Sequence, residues 1–164
     1  MASKKLILIM GITGSGKSTV GKSLSERLGI PFLDADDFHP QENIKKMSRG
    51  LPLEDDDRWP WLAAIVEYVM QAHRNEFILA CSALKQSYRD YLGQRLDNKY
   101  LFLELSEEEA VKRLNKRTSH FMPKTLVKSQ LETLEIPLDT ITIKADHSIE
   151  KIVTDAASYF ADFI

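Results

Sequence analysis

The stretch GITGSGKS, residues 11–18, constrains the fold of this chain more than any other, because it directly follows the apolar run LILIM at residues 6–10. It fits the pattern G-x-x-x-x-G-K-[ST]. In that pattern the glycines let successive backbone N–H groups point at one anion, and the helix that follows adds the positive end of its dipole. The stretch therefore predicts a strand, a phosphate-binding loop (P-loop) and a helix, in that order.

Two side chains of this loop have predicted chemical roles. Lys17 is expected to reach the β- and γ-phosphates of a nucleoside triphosphate and so to be catalytic, and Ser18 is expected to offer its hydroxyl to Mg²⁺. The backbone of the loop is expected to hold the phosphates. The predicted nucleotide-binding residues of this region are Gly11, Ile12, Thr13, Gly14, Ser15, Gly16, Lys17, Ser18 and Thr19.

The composition of the 164 residues is that of an ordinary globular domain, with 43% hydrophobic and 28% charged residues. The formal net charge of −2 gives no basic field for nucleic acid or a membrane surface, so we expect neither as a partner. The single cysteine, Cys81, suits a reducing compartment. Because the apolar run 6–10 is also too short for a signal-peptide core, we expect a cytoplasmic protein.

Strand and helix patterns alternate along the chain. The alternation predicts an α/β P-loop fold, with a five-stranded parallel sheet that carries helices on both faces. The predicted strands are 6–10, 31–35, 77–81, 100–105 and 140–145, and the predicted helices are 17–28, 42–50, 59–73, 83–96, 107–117, 125–135 and one from Ile149. Since no linker interrupts the pattern, residues 1–164 are expected to form one domain.

The P-loop alone leaves a GTPase, an ATPase and a small-molecule kinase open. The Asn98-Lys99 pair lacks the aspartate of a guanine-reading motif, and the third predicted strand ends without the aspartate common to many ATPases. The acidic residues stand instead in LDADDFHP, at the end of the second predicted strand, where we expect them beside the P-loop. Strand alternation predicts that Asp34 and Asp36 share one side of this segment. The arrangement is typical of small kinases of the shikimate-kinase and nucleotide-kinase type.

Four blocks of sequence resemble the gluconokinase family in order and spacing: MGITGSGKST, DADDFHPQENIKKMSRGLPLEDDDRWPWL, CSALKQSYRDYL and RTSHFMP. The resemblance covers nearly the whole chain, although Thr13 stands where the family often has Val or Ser. It implies a nucleoside-monophosphate-kinase-like fold, the ATP- and Mg²⁺-dependent phosphorylation of D-gluconate to 6-phospho-D-gluconate, and a homodimer. A related P-loop kinase for shikimate or another small polyol acid, and a non-catalytic nucleotide-binding regulator, stay open as alternatives.

The resemblance also implies roles for the carboxylates and for a set of substrate-binding residues. Asp34 is expected to hold a metal-bound water beside Ser18, while Asp36 is expected to orient and deprotonate the terminal hydroxyl of gluconate. A polyol acid needs a cation for its carboxylate and many hydrogen-bond partners for its hydroxyls. The residues expected to bind substrate are Asp36, His39, Arg49, Arg58, Lys85, Arg89, His120 and Gln130.

Two segments interrupt the alternation and are interpreted as functional insertions. Residues 36–60 are expected to build the substrate site, and residues 117–126 are expected to form a lid. The lid lies in a basic run, 110–131, that contains no acidic residue. Arg113 and a catalytic Arg117 are expected to contact the nucleotide from it, because closure of an arginine over the γ-phosphate both neutralises charge and excludes water.

Three further patterns are given interpretations that do not involve catalysis. The acidic run EDDD at 54–57 is interpreted as the solvated start of a helix, and the two tryptophans Trp59 and Trp61 as core or pocket wall. Ser106 and Glu109 are predicted to form a capping box at the fifth helix.

Overall fold

The structure, a computed structural model, describes residues 3–116, 124–138 and 140–164. Its strands are β1 (Lys5–Met10), β2 (Phe32–Asp34), β3 (Glu76–Ala80), β4 (Asp97–Glu104) and β5 (Ile141–Lys144). All four pairings between these strands are parallel, and the order across the sheet is β2-β3-β1-β4-β5. The predicted parallel five-stranded sheet is confirmed.

Helices cover both faces of this sheet. They are α1 (Lys17–Leu28), α2 (Gln41–Ser48), α3 (Asp55–Gln71), α4 (Gln86–Gly93), α5 (Glu107–Asn115), α6 (Lys124–Thr133) and α7 (Ile149–Phe160). Alternate residues of β1 enter two separate cores: Ile7 and Ile9 pack with α1, α5 and α7, whereas Leu6 and Leu8 pack with α3 and α4. Both faces of the sheet are therefore buried, as a parallel sheet requires.

The largest differences from the predicted boundaries lie around the second strand and the third helix. β2 ends at Asp34, and residues Ala35–Phe38 form a short 3-10 helix instead of continuing the strand. The helix predicted from residue 59 begins at Asp55, because Glu54 and Asp57 form a capping box in which the Glu54 N–H donates to Asp57 Oδ2 at 2.8 Å.

The parallel sheet gathers the carboxyl ends of its strands at one edge, and the P-loop, the 3-10 helix and the turn into α4 all follow strands there. At the fifth helix, Ser106 caps α5 by accepting from the Glu109 N–H at 3.2 Å, which confirms that half of the predicted capping box. Within the described residues, no helix combines the length and the apolar composition needed to cross a membrane.

Candidate active site

The P-loop turns tightly from the end of β1 into α1. Gly16 caps α1 with φ of 89°, a left-handed conformation that glycine adopts at little cost. A Cβ on Gly11 would lie 2.8 Å from a backbone oxygen of β4, so a larger residue does not fit there. Lys17 Nζ donates to the carbonyl oxygens of Gly11 at 3.0 Å and Ile12 at 3.1 Å, which holds the ammonium group at the loop.

Two side chains from the basic run contact the P-loop. Arg113 donates from Nη1 to the Gly14 carbonyl at 3.0 Å and from Nη2 to the Ala145 carbonyl at 2.6 Å. Gln130 Oε1 accepts from the Thr13 N–H at 2.7 Å. Arg113 also lines a cleft of about 450 Å³ beside the loop. The residues lining this cleft are Gly14, Ser15, Gly16, Thr19, Arg113, Lys116, Ala145, His147, Ser148 and Ile149.

The two residues of the predicted metal site lie next to each other. Ser18 Oγ donates to Asp34 Oδ2 at 2.9 Å, and Asp34 Oδ1 accepts from the Asp36 N–H at 3.0 Å. β2 pairs with β3 and not with β1, so it is the N-terminus of α1 that brings Ser18 to Asp34.

A hydroxyl and a carboxylate oxygen are suitable ligands for Mg²⁺, which keeps several waters and phosphate oxygens and takes few groups from the protein. Among the described residues, no three His, Cys, Asp or Glu side chains form a group that could hold a metal ion by themselves. The pair of Ser18 and Asp34 therefore fits the ion.

Asp36 lies on the 3-10 helix with its side chain 87% exposed. The prediction that Asp34 and Asp36 share one side of an extended chain was wrong, because the strand ends at Asp34 and the chain is not extended at Asp36. Asp34 nevertheless acts on Asp36: partial desolvation and then repulsion by Asp34 raise the pKa of Asp36. Water reaches most of this side chain, so we expect Asp36 to be ionised at neutral pH and able to accept a proton.

His39, three residues after Asp36, is held firmly in place. Its side chain is 5% exposed, and its ring stacks on that of Trp61 with centroids 4.4 Å apart. Its Nε2 lies 3.8 Å from Asp36 Oδ1. Burial and then the charge of Arg58 lower the pKa of His39 to about 4, so the imidazole is neutral at neutral pH.

Arg58 and Lys85 meet at a second cleft, of about 490 Å³, through two residues that the sequence did not single out. Arg58 Nη1 donates to the hydroxyl oxygen of Tyr88 at 2.8 Å, and the Tyr88 hydroxyl donates to Asp55 Oδ1 at 2.5 Å. Lys85 Nζ donates to the same Asp55 oxygen at 3.0 Å. The bonds from Tyr88 and then Lys85 lower the pKa of Asp55. We call these four residues the cationic cluster.

Comparison with known proteins gives matches along nearly the whole chain. The family model described as Shikimate kinase matches residues 13–160. The gluconokinase of Gluconobacter oxydans is 43% identical to this chain, and the match covers 82% of this chain and 78% of that protein. The thermosensitive gluconokinase of Escherichia coli is 39% identical, and the match covers 93% of this chain and 84% of that protein. The crystal structure of a gluconokinase from Sinorhizobium meliloti superposes with a TM-score of 0.87 at 43% identity, covering 99% of this chain and 95% of that chain.

The chain belongs to the gluconokinase family and matches the Shikimate kinase family model over most of its length. The resemblance found in the sequence blocks is confirmed, and so is the predicted P-loop kinase fold. The remaining site residues can now be placed in this member of the gluconokinase family.

Arg89 does not lie where the predicted role requires it. It is 1% exposed, and its guanidinium donates to the backbone oxygens of Ala83, Leu84 and Glu135 at 2.7, 3.2 and 2.7 Å. Burial lowers its pKa. Arg89 thus ties the loop that carries Lys85 to the segment after α6, and this position gives no support to a direct contact with substrate.

Arg49 is the exposed C-cap residue of α2, so its contact with substrate stays a prediction. Arg117 and His120 lie outside the described residues, as does most of the predicted lid at 117–126. Gln130 is described, and its amide oxygen binds the P-loop rather than the cationic cluster.

Sequence reasoning missed Asn43, Asp55 and Tyr88. Asp55 belongs to the acidic run interpreted as a solvated helix start, and it does stand in the first turn of α3, but it also pairs with Lys85. Tyr88 lies within the block CSALKQSYRDYL that carried the resemblance, and its position in that block was the available signal. Asn43 likewise lies within a block that carried the resemblance, DADDFHPQENIKKMSRGLPLEDDDRWPWL, and it is buried with its Nδ2 3.2 Å from Nδ1 of His39.

Proposed function

We propose that this protein transfers the γ-phosphoryl group of ATP to the C6 hydroxyl of D-gluconate. Gluconokinase relatives at 37–43% identity support the reaction. The observation that carries the proposal is a continuous series of neighbours beside the P-loop. Asp36 faces His39, the charge of Arg58 acts on His39, and Arg58 joins Lys85 through the cationic cluster.

The triphosphate binds to the P-loop N–H groups and to the N-terminal end of α1. Lys17 then exchanges the carbonyl oxygens of Gly11 and Ile12 for the β- and γ-phosphate oxygens, where its charge stabilises the transition state. The cleft of about 450 Å³ lined by Arg113 takes the nucleoside. The full set of proposed nucleotide contacts is residues 11–19 together with Arg113 and Arg117.

Asp36 orients the C6 hydroxyl of gluconate and accepts its proton. The hydroxyl oxygen forms a bond to the γ-phosphorus as the bond from that phosphorus to the β–γ bridging oxygen breaks, and ADP leaves. Because the transition state is loose, the proposed role of Asp36 includes orientation of the hydroxyl as well as proton transfer.

Ser18 and Asp34 are the residues that would hold Mg²⁺. When bound, the ion neutralises charge on the β- and γ-phosphates. In the described contacts the same two side chains bond to each other, which holds both groups at the edge of the sheet where the phosphates would lie.

The gluconate carboxylate is recognised by Arg58 and Lys85 in the second cleft. Both cations already share Asp55 and Tyr88, so an incoming carboxylate joins or replaces Asp55 as their partner. His39 adjoins Asp36 and therefore stands next to the acceptor hydroxyl that Asp36 orients.

We propose one kinase domain with a substrate-binding insertion at 36–60 and a lid at 117–126. The protein is further proposed to act in the cytoplasm as a homodimer, without nucleic acid or membrane as a partner; its one cysteine, Cys81, is buried and free.

The match of the Shikimate kinase model to residues 13–160 favours shikimate as the second candidate acceptor. Shikimate also carries a carboxylate and several hydroxyls, so the same cations would suit it. The two acceptors differ in the hydroxyl that is presented, a primary one in gluconate and a ring one in shikimate.

Product analysis tests the proposal. The protein is incubated with ATP, Mg²⁺ and gluconate, and the product is examined by ¹H–³¹P correlation NMR. We expect a phosphate coupled to the two C6 methylene protons. Phosphate coupled to a methine proton, or ADP without a phosphorylated sugar acid, contradicts it.

A further inference from the structure

Asn43 is a buried polar residue of α2 that the proposed reaction does not yet use. It is 2% exposed, and its Nδ2 lies 2.9 Å from the backbone oxygen of Asp57 and 3.2 Å from Nδ1 of His39. α2 is also fixed to the start of α3 by Lys46, whose Nζ donates to Asp57 Oδ2 at 2.8 Å. Asn43 is thereby placed firmly between α3 and the imidazole ring.

The contact with Asp57 determines which way the Asn43 amide is turned. A backbone carbonyl oxygen can only accept, so the group beside it must be the NH₂ and not the amide oxygen. The second hydrogen of the same NH₂ is then directed to Nδ1 of His39. Because an NH₂ group can only donate there, Nδ1 must be the nitrogen without a proton.

The proton of the neutral imidazole therefore lies on Nε2, and this nitrogen faces Asp36. The distance from Nε2 to Asp36 Oδ1 is 3.8 Å, and the exposed Asp36 side chain needs only a small movement to close it. The ring itself cannot turn freely, since it stacks on Trp61, whose Nε1 donates to the Ala35 carbonyl at 2.6 Å.

We propose that Asn43 is a positioning residue for phosphoryl transfer: it holds His39 in the Nε2–H tautomer, so that the imidazole donates a hydrogen bond to the carboxylate of Asp36. The bond keeps one carboxylate oxygen occupied and aims the other at the acceptor hydroxyl. His39 is accordingly a donor in this site and not a second base. The inference rests on the proposed role of Asp36, but the tautomer itself can be measured without any substrate.

The first test is ¹⁵N–¹H long-range correlation NMR of the full-length, uniformly ¹⁵N-labelled protein at neutral pH. We expect the His39 signals of a neutral ring protonated on Nε2. In Asn43→Asp, whose carboxylate can only accept, we expect the proton on Nδ1 or on both nitrogens. A wild-type ring protonated on Nδ1, or an unchanged tautomer in Asn43→Asp, overturns the inference.

The second test compares His39→Gln with His39→Asn, since the glutamine NH₂ lies near the position of Nε2 and the asparagine NH₂ near that of Nδ1. We expect His39→Asn to lower kcat about tenfold at unchanged KM for ATP, and His39→Gln to restore most of that loss. Equal kcat values for the two variants overturn the inference, and this comparison decides it even where Asn43→Asp fails to fold.

Lys46→Met is the matched control, because it weakens the same junction of α2 and α3 without touching His39. We expect it to lower stability while leaving the tautomer and kcat unchanged. A wild-type protein that does not phosphorylate gluconate contradicts the proposed function alone, whereas the NMR result bears only on the inference.

Discussion

Two aspartates two positions apart have different surroundings at this site. Asp34 is engaged through both oxygens, by the Ser18 hydroxyl and by the Asp36 N–H. Asp36 is mostly exposed, and its pKa is raised by partial desolvation and by Asp34. A carboxylate that is already held by a hydroxyl suits a metal, and one that is open to the cleft suits an incoming alcohol.

Replacement of each aspartate by asparagine separates these roles. Asp36→Asn removes the proton acceptor but keeps the shape, so we expect kcat to fall about a hundredfold or more with nearly unchanged ATP affinity. Asp34→Asn is expected to raise the Mg²⁺ concentration needed for half-maximal rate. Steady-state kinetics across a Mg²⁺ titration measure both effects. If Asp34→Asn stays inactive at saturating Mg²⁺ while Asp36→Asn remains active, the roles of the two aspartates are exchanged.

Lys85 is expected to discriminate between charged and uncharged acceptors. In Lys85→Met we expect KM for gluconate to rise about tenfold or more, because a charge-assisted bond to the carboxylate is lost, while KM for ATP stays the same. The rate ratio of gluconate to glucitol, the polyol without a carboxylate, should fall towards one. Lys151→Met, which removes an exposed cation on α7, serves as the control. An unchanged ratio in Lys85→Met would place the carboxylate elsewhere.

The lowered pKa of His39 also affects stability. In the folded protein the pKa of His39 is about 4, against its ordinary value of 6.5, so between these two pH values the unfolded chain binds the proton more readily than the folded protein does. The free energy of unfolding should therefore fall as pH drops through this window, by about 2 kcal/mol between pH 7.5 and pH 5. Urea unfolding should show that His39→Gln lacks this pH-dependent loss of stability, whereas His73→Gln, a change at an exposed histidine, keeps it. Equal pH dependence in the wild type and both variants would contradict the lowered pKa of His39.

At the scale of elements, α1 determines the position of Asp34 through its packing on β2. A Cβ on Gly21 would lie 2.3 Å from a ring carbon of Phe32, so the helix can approach the strand only because residue 21 is glycine. Gly21→Ala should lower the free energy of unfolding by about 1–3 kcal/mol, despite the better helix propensity of alanine. Gly93→Ala at the end of α4, where no heavy atom lies within 3.4 Å, is the matched control. Equal Tm values of Gly21→Ala and Gly93→Ala in thermal unfolding would contradict this packing.

The elements also show which parts of the fold and of the candidate site could be predicted from the sequence. β1, the P-loop and α1 were predictable because a local pattern specifies each of them. The role of Asp55 was not, since its pairing with Lys85 and Tyr88 joins residues 30 and 33 positions apart. Arg89 was expected to bind substrate together with Lys85, yet its guanidinium turns inwards to the backbone oxygens of Ala83, Leu84 and Glu135. No local pattern in the sequence indicates that this guanidinium is buried.

At the scale of the whole molecule, the strand order explains why the site lies where it does. β1 is central, between β3 and β4, so the P-loop emerges from the middle of the sheet. β2 lies beyond β3, and its carboxyl end supplies Asp34 and then the 3-10 helix with Asp36. The 3-10 helix and α2, which lie in the proposed substrate-binding insertion, contact α3, and α3 covers the opposite face of the sheet from α1. In the proposed reaction, nucleotide and acceptor therefore approach the same sheet edge from different elements.

The proposed phosphorylation of gluconate at this site is tested most directly by a coupled assay of ADP release across a panel of acceptors. The panel contains gluconate, other aldonates, shikimate and nucleoside monophosphates, each tested with the wild-type protein and with Asp36→Asn. We expect the highest kcat/KM with gluconate, and a loss of that activity in Asp36→Asn. Turnover with shikimate or a nucleoside monophosphate alone, and none with gluconate, would contradict the account.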